Sequence, residues 1–230
     1  MNNQDNKDFY NNTVSSANQL KDNEKTSFSG EDGLKVVFIG NSITRHGILH
    51  EIGWHQDCGM AASSPEKDYV HRTVAMLEEK YGKVQFCIAQ RSDFERAFYS
   101  PDALDFFRDA YDFDADIVIF RLGENVRMTK SEHIDVFANA LIDAMKYLSE
   151  GRRAKLVVTD TFWRNGNINA SIEKACAVMG IESVKLGDLG DDSSMKAIGL
   201  FEHGGVAAHP GDKGMQAIAD RIVAKIEEIM

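Results

Sequence analysis

Three short segments of the sequence hold the residue types that acyl-transfer chemistry requires. Ser42 follows an apolar run at residues 34–40, where a hydroxyl could act as a nucleophile. Asn125 follows the apolar run at residues 116–123, and a side-chain amide there could donate to developing negative charge. His209 precedes the last amphipathic segment, and an imidazole is the usual general base for a serine. Each residue alone is explained as simply by a helix cap, a turn or the surface, but the three together favour a serine hydrolase site.

The elements that must position these residues alternate between strands and helices. Apolar runs predict strands at residues 34–40, 84–89, 116–123, 154–162 and 183–186. Amphipathic periodicity and end signals predict helices at residues 68–82, 101–112, 131–151, 167–180 and 212–230. The alternation predicts an α/β fold, a three-layer α/β/α sandwich around a flavodoxin-like five-stranded parallel sheet. Ligands bind beyond the carboxyl ends of the strands in such a sheet, which is where Ser42 and Asn125 lie.

The same segments resemble the sequence blocks of the SGNH (GDSL-like) hydrolase superfamily. Residues 40–44 (GNSIT) are similar to its GDSxT-type block, with Asn in place of Asp. Residues 123–125 (GEN) are similar to its GxN block, and residues 209–219 (HPGDKGMQAIA) to its final HPN-type block. The resemblance spans residues 34–230 and implies a three-layer α/β fold and a serine hydrolase that acts mostly on esters.

The resemblance also implies the role of each site residue. Ser42 would be the nucleophile and His209 the base. The main-chain N–H of Ser42 and the side chain of Asn125 would form part of the oxyanion hole. The block that supplies a further oxyanion donor from a glycine reads AQRSDFE here, at residues 89–95, and Ser92 stands at the glycine position. Since every residue but proline has a main-chain N–H, we expect Ser92 to be the third donor.

The acid of a standard catalytic triad is missing from the last block. The superfamily usually has Asp three residues before the histidine, and this chain has Val206 there. We therefore expect a dyad in which a main-chain carbonyl within residues 204–207 orients His209. The alternative is a displaced carboxylate, with Glu124 as the first candidate and Glu202 as the second. A histidine of ordinary pKa would make activity rise between about pH 6 and 7.

Two segments near the expected site carry candidate pocket residues. Arg45 and Trp54 lie in the connection 45–67, which is long for a strand-to-helix loop and is therefore expected to shape specificity. Trp163 and Arg164 follow the fourth predicted strand. Tryptophan could stack on a sugar or acyl group, and arginine suits an anionic or sugar substrate.

No cofactor and no metal are expected. The sequence lacks GxGxxG and GxxxxGK loops for nucleotides. His46, His50 and His55 would form a metal pair only on a helix, which Gly47 disfavours. The expected partner is a small-molecule ester, and no motif specifies an oligomeric state.

Composition and net charge exclude several classes of protein. The 230 residues are 43% hydrophobic and 27% charged, which fits one catalytic domain (33–230) behind a polar N-terminal arm (1–32). The net charge of −10 disfavours nucleic acid, and no apolar run is long enough for a membrane helix. Cys58, Cys87 and Cys176 form no CxxC pair, so we expect free thiols and a cytoplasmic location.

The sequence thus predicts an esterase for a small acyl group, carried for example on a carbohydrate, that works through an acyl-Ser42 intermediate. A lipase is less favoured because no large apolar lid segment is present. Two alternatives stay open: an acyltransferase with the same site, and a catalytically inactive, carbohydrate-binding relative.

Overall fold

A five-stranded sheet lies at the centre of the computed structural model, which describes residues 20–127 and 133–230. The strands are β1 (Thr26–Ser29), β2 (Leu34–Gly40), β3 (Val84–Gln90), β4 (Ile117–Arg121) and β5 (Lys155–Val158). Their order across the sheet is β1-β3-β2-β4-β5. Strands β3, β2, β4 and β5 run parallel, and β1 pairs with β3 in the antiparallel sense. The mostly parallel sheet and the α/β class are as the sequence predicts.

Helices cover both faces of this sheet. They are α1 (Tyr69–Tyr81), α2 (Ser92–Ala97), α3 (Arg108–Phe113), α4 (Ile134–Ser149), α5 (Gly166–Met179), α6 (Gly187–Asp191), α7 (Gly204–Ala207) and α8 (Asp212–Ile229). Helices α1 and α8 pack against each other, as do α4 and α5. The predicted helix at residues 101–112 is a 3₁₀ turn, Ala103–Phe107, followed by α3. Of the helices in the described residues, none has the length and apolar character needed to cross a membrane.

Strand β2 shows why the sandwich has three layers. Successive side chains of a strand point to opposite faces. Val36 and Phe38 belong to the core under α1 and α8, whereas Val37 and Ile39 belong to the core under α4 and α5. All four side chains are fully buried. A strand that is buried on both faces must be apolar throughout, which is why the sequence shows a continuous run here.

The fifth strand is not the one that the sequence predicts. Residues 183–186 form only a single parallel bridge, between Thr159 and Val184. The main-chain N–H of Leu186 donates instead to the Asp160 carboxylate at 2.5 Å, and the chain turns into α6. The fifth strand is β1, from the segment predicted to be an arm, and it covers the outer edge of β3. Residues 1–19 of that arm lie outside the described residues.

Candidate active site

Ser42 lies on a tight turn at the carboxyl end of β2. The main-chain N–H groups of Thr44 and Arg45 both donate to the carbonyl of Asn41, at 2.9 and 3.0 Å. A Cβ on Gly40 would lie 1.8 Å from the Thr44 hydroxyl oxygen, so only glycine fits below this turn. The Thr44 hydroxyl in turn lies 2.8 Å from the hydroxyl of Tyr69 on α1. The turn that carries Ser42 is therefore fixed to the helix layer.

The structure brings Ser42 and His209 into contact. The Oγ of Ser42 lies 2.9 Å from Nε2 of His209, and the Nδ1 of His209 lies 2.6 Å from the carbonyl oxygen of Gly205. Because a carbonyl oxygen can only accept, the proton of a neutral imidazole sits on Nδ1. Nε2 is then the acceptor that faces the serine hydroxyl, as a general base requires.

Helix α7 positions the carbonyl that holds His209. The Nδ1 of His203 accepts hydrogen bonds from the N–H groups of Gly205 and Val206, at 3.1 and 3.3 Å, and so caps this short helix. The Val206 side chain is fully buried in the core. An apolar side chain at 206 therefore anchors α7, while the preceding carbonyl occupies the place at Nδ1 that an acid takes in a triad.

Burial makes His209 an unusually weak base. Loss of hydration lowers the pKa of His209 to about 3, against the opposing effect of the Gly205 carbonyl. The charges of His46, Arg121 and His203 lower the pKa further. The ring of Trp163 stands edge-on to the His209 ring, with 4.9 Å between centroids, and shields it. His209 therefore stays neutral well below the pH range expected from its ordinary pKa.

A network of buried charges lies beneath the turn that carries Ser42. Arg121, at the end of β4, is fully buried and donates to Oδ1 of Asn41 at 2.7 Å. It also donates to Oε1 of Glu124 at 2.8 Å. Glu124 accepts from Nδ2 of Asn41 at 2.6 Å and from the N–H of Phe162 at 3.0 Å. The position filled by Asp in the SGNH block is thus an asparagine that bridges an ion pair.

The arrangement corrects one alternative from the sequence. Both Glu124 oxygens are occupied by Arg121, Asn41 and Phe162, and the Nδ1 of His209 is occupied by Gly205. Glu124 is therefore the partner of Arg121 rather than the acid that orients His209.

Glu95, on α2, is a second fully buried carboxylate in the network. Its Oε1 accepts from the N–H of Gly123 at 2.6 Å and from Nδ2 of Asn41 at 2.9 Å. Its Oε2 accepts from Nδ2 of Asn125 at 2.6 Å. Burial, followed by the nearby charge of Glu124, raises the pKa of Glu95. The carboxylate therefore joins the turn that carries Ser42 to the loop that carries Asn125.

Two N–H groups remain available at the site. Among the described residues, the main-chain N–H of Ser42 donates to no acceptor. The Nδ2 of Asn125 uses one hydrogen on Glu95 and keeps a second. Ser92 is arranged differently, since its N–H faces Oε1 of Gln90 at 3.4 Å and the residue is buried. Ser42 and Asn125 thus keep N–H groups that are free to donate, whereas the N–H of Ser92 faces an acceptor.

Comparison with solved structures identifies the fold. A protein from Bacteroides uniformis assigned as a GDSL-like lipase aligns with a TM-score of 0.54 and 16% identity, over 85% of this chain and 96% of its own. The chain has the SGNH (GDSL-like) hydrolase fold. A Parabacteroides merdae protein assigned as a GDSL-like lipase aligns at 0.52 and 18% identity, over 84% of this chain and 95% of its own.

A carbohydrate esterase shares the fold as well. A family two carbohydrate esterase from Cellvibrio japonicus aligns with a TM-score of 0.53 and 15% identity, over 85% of this chain and 61% of its own. No protein-family profile matches the chain. No curated protein sequence matches it either.

Of the four predicted pocket residues, only Trp163 lies at this edge of the SGNH fold in contact with His209. Trp54 is 1% exposed and packs in the core, with its ring 6.0 Å from that of Phe201, so it lines no open pocket. The two arginines are engaged elsewhere. Arg45 forms two 2.8 Å hydrogen bonds with Asp57, and the exposed Arg164 pairs with Asp191.

The sequence does not predict Glu95 or Arg121 as site residues, whereas the carbonyl that faces His209 Nδ1 does come from residues 204–207, as the sequence predicts. Arg121 had a usable signal, because an arginine inside an otherwise apolar strand must find a buried partner. Glu95 beside Phe94 at the start of a helix is a weaker signal. Which of residues 204–207 supplies the carbonyl could not be predicted, because Gly205 acts through a main-chain atom, which leaves no side-chain pattern. Within the described part of the chain, no group of three or more His, Cys, Asp or Glu side chains could hold a metal ion.

Proposed function

We propose that the protein is a serine esterase that removes a small acyl group through an acyl-Ser42 intermediate. The observation that carries the proposal is the 2.9 Å contact between Ser42 Oγ and His209 Nε2, with the opposite ring nitrogen held by a carbonyl. A neutral imidazole in this tautomer can accept the serine proton. The shared fold with GDSL-like proteins agrees with ester hydrolysis.

In the first half of the reaction, Ser42 Oγ attacks the ester carbonyl carbon while its proton moves to Nε2 of His209. The carbonyl oxygen becomes an oxyanion, which accepts from the Ser42 N–H and from the second Nδ2 hydrogen of Asn125. Loss of one such donor typically costs about 10²–10³ in rate. The tetrahedral intermediate then breaks its bond to the alcohol oxygen, which takes the proton from Nε2.

In the second half, water attacks the acyl carbon and gives a proton to Nε2. The intermediate collapses by breaking the bond to Ser42 Oγ, which recovers its proton as the acid leaves. Protein groups supply each step, so the mechanism needs no cofactor. We propose a sugar-borne acetyl or similar ester as the substrate, in keeping with the carbohydrate esterase that shares the fold.

Active-site labelling tests the proposal. A fluorophosphonate should modify Ser42 alone, and 4-nitrophenyl acetate should be hydrolysed with loss of activity in Ser42→Ala. Ser193→Ala, at an exposed serine with no hydrogen-bonded side-chain partner in the described residues, is the matched control and should keep full activity. An adduct on another serine, or an active Ser42→Ala variant, would remove Ser42 as the nucleophile.

A further inference from the structure

A groove beside the candidate site carries positive charge in an otherwise acidic protein. Its volume is about 670 Å³. It is lined by Glu95, Arg96, Phe98, Tyr99, Arg127, His133 and Val136, and we call it the arginine groove. The chain has a net charge of −10, so a positively charged groove differs in sign from the protein as a whole.

The two arginines of the groove have no carboxylate partner among the described residues, and both are exposed. The other exposed arginines of the described residues are paired with carboxylates, as Arg108 is with Asp105 and Arg164 is with Asp191. Of the described residues that line the groove, Glu95 is the single acid, and its oxygens accept hydrogen bonds from the network beneath Ser42. Arg96 and Arg127 therefore leave the groove with a net positive charge even when Glu95 is ionised.

Aromatic side chains form one wall of the groove. The Phe98 ring is held edge-on between Tyr99 and Phe137, with centroid distances of 5.5 and 5.1 Å. The Val136 side chain, 46% exposed, extends the apolar surface. A guanidinium fork next to an aromatic wall suits a ring or short apolar group that ends in a carboxylate.

Glu95 connects the groove to the chemistry. One of its carboxylate oxygens lies 2.6 Å from Nδ2 of Asn125, which is a proposed oxyanion donor. Arg127, another residue that lines the groove, is two residues from Asn125 in the sequence, so the groove lies beside the loop that carries this donor. Resting on the proposed esterase function, we infer that the arginine groove binds a carboxylate-bearing, aromatic part of the ester substrate.

A pair of aryl acetates that differ in one charge tests this inference. The anionic substrate is 4-acetoxybenzoate, and the neutral one is its methyl ester. Wild type should hydrolyse the anion with a higher kcat/KM than either arginine variant does. Arg96→Gln and Arg127→Gln should each lower kcat/KM for the anion by about 3-fold, and together by about 10-fold, because exposed ion pairs are individually weak. Hydrolysis of the neutral ester should stay within about 2-fold, a bound set by the same estimate.

Arg108→Gln, which removes an exposed arginine outside the groove, is the control and should change neither substrate. Added salt should reduce the preference for the anion in wild type and not in the double variant. Equal losses on both esters, or an unchanged ratio in the double variant, would overturn the inference.

Direct binding separates this inference from the proposed function. Calorimetry should show that wild type binds 4-hydroxybenzoate more tightly than methyl 4-hydroxybenzoate, and that the double variant loses this difference. If neither acetate is hydrolysed but this binding pattern holds, the esterase proposal fails and the anion site stands. If both acetates are hydrolysed but 4-hydroxybenzoate does not bind preferentially, the anion site fails and the esterase proposal stands.

Discussion

Replacing Glu95 with Gln should disable the oxyanion hole without unfolding the protein. The Oε1 of Glu95 accepts from Gly123 N and Asn41 Nδ2, and its Oε2 accepts from Asn125 Nδ2. The Oε1 also accepts from the main-chain N–H of Asn125 at 3.4 Å. Glutamine has a single oxygen, and the side with these three donors requires it. The new amide nitrogen would then face Asn125 Nδ2 at 2.6 Å, so that two donors meet. The Asn125 amide must rotate by half a turn to present its oxygen to the nitrogen of the substituted side chain.

The rotation places an acceptor where the oxyanion needs a donor. Loss of one oxyanion donor costs about 10²–10³ in kcat, and we expect Glu95→Gln to fall within that range. KM should change little, because the lost contact strengthens only in the transition state. The rotated amide pairs with glutamine, so the free energy of unfolding should fall by less than the roughly 1–3 kcal/mol of an unpaired buried donor.

A double-mutant cycle shows whether Glu95 acts through Asn125. We would measure kcat and KM on 4-nitrophenyl acetate for Glu95→Gln, Asn125→Ala and the double variant, with the exposed Glu79→Gln as control. The double variant should be no slower than the slower single variant, because both remove the same donor. Circular dichroism and urea unfolding would confirm that each variant is folded.

Two results would refute this reasoning. A kcat within about 3-fold of wild type for folded Glu95→Gln would show that Asn125 needs no fixed orientation or gives no hydrogen bond to the transition state. Losses that multiply in the double variant would show that the two residues act separately.

Further predictions concern His209, the turn that carries Ser42, and the edge strand β1. Because the pKa of His209 is lowered to about 3, the fall of kcat/KM on the acid side should lie below about pH 5, which is the lower end of the range in which an unperturbed histidine titrates. An inflection near pH 6.5 would contradict the burial of His209. The same shift makes unfolding easier as pH falls from about 6.5 towards 3, by up to about 1.4 kcal/mol per pH unit, and His209→Asn should lack that share of the slope in urea titrations. Gly40→Ala should abolish activity, since its Cβ would overlap Thr44, while Gly166→Ala, which has open space, should leave kcat unchanged. Deletion of residues 1–30 removes β1 and should lower the melting temperature by uncovering β3, with kcat within a few-fold because no proposed site residue is lost; an unchanged melting temperature would contradict the role of β1.

The sheet could be predicted where burial leaves a mark in the sequence. Strands β2 to β4 are covered on both faces, so each reads as an apolar run with little ambiguity. Strand β1 has the sequence TSFS and two exposed residues, and an edge strand of this kind looks like a loop. Residues 183–186 look like a strand, but the contact between Leu186 and Asp160 turns the chain away after one bridge.

The site could be predicted where a chemically suitable side chain directly follows a predicted strand or precedes a predicted helix. Ser42, Asn125 and His209 are predicted in this way, and the structure brings the first and last of them into contact. The carbonyl that faces His209 is predicted to the segment 204–207, but the partner of Asn125 could not be predicted, because it is defined by a three-dimensional contact. Glu95 is 54 residues from Asn41 and 30 residues from Asn125, and only the folded sheet brings them together.

A carbonyl at Nδ1 has a chemical consequence for the whole site. The Gly205 oxygen fixes the tautomer of His209, as a carboxylate would, but it carries no full negative charge to stabilise the imidazolium that forms during attack. Arg121 adds a positive charge that opposes the imidazolium further. With a base this weak, the transition state must depend more on stabilisation of the oxyanion than it does in a triad with an acid. The buried carboxylate of Glu95 orients Asn125 towards that role. Because the triad acid is missing, we expect the rate of this enzyme to depend strongly on Glu95.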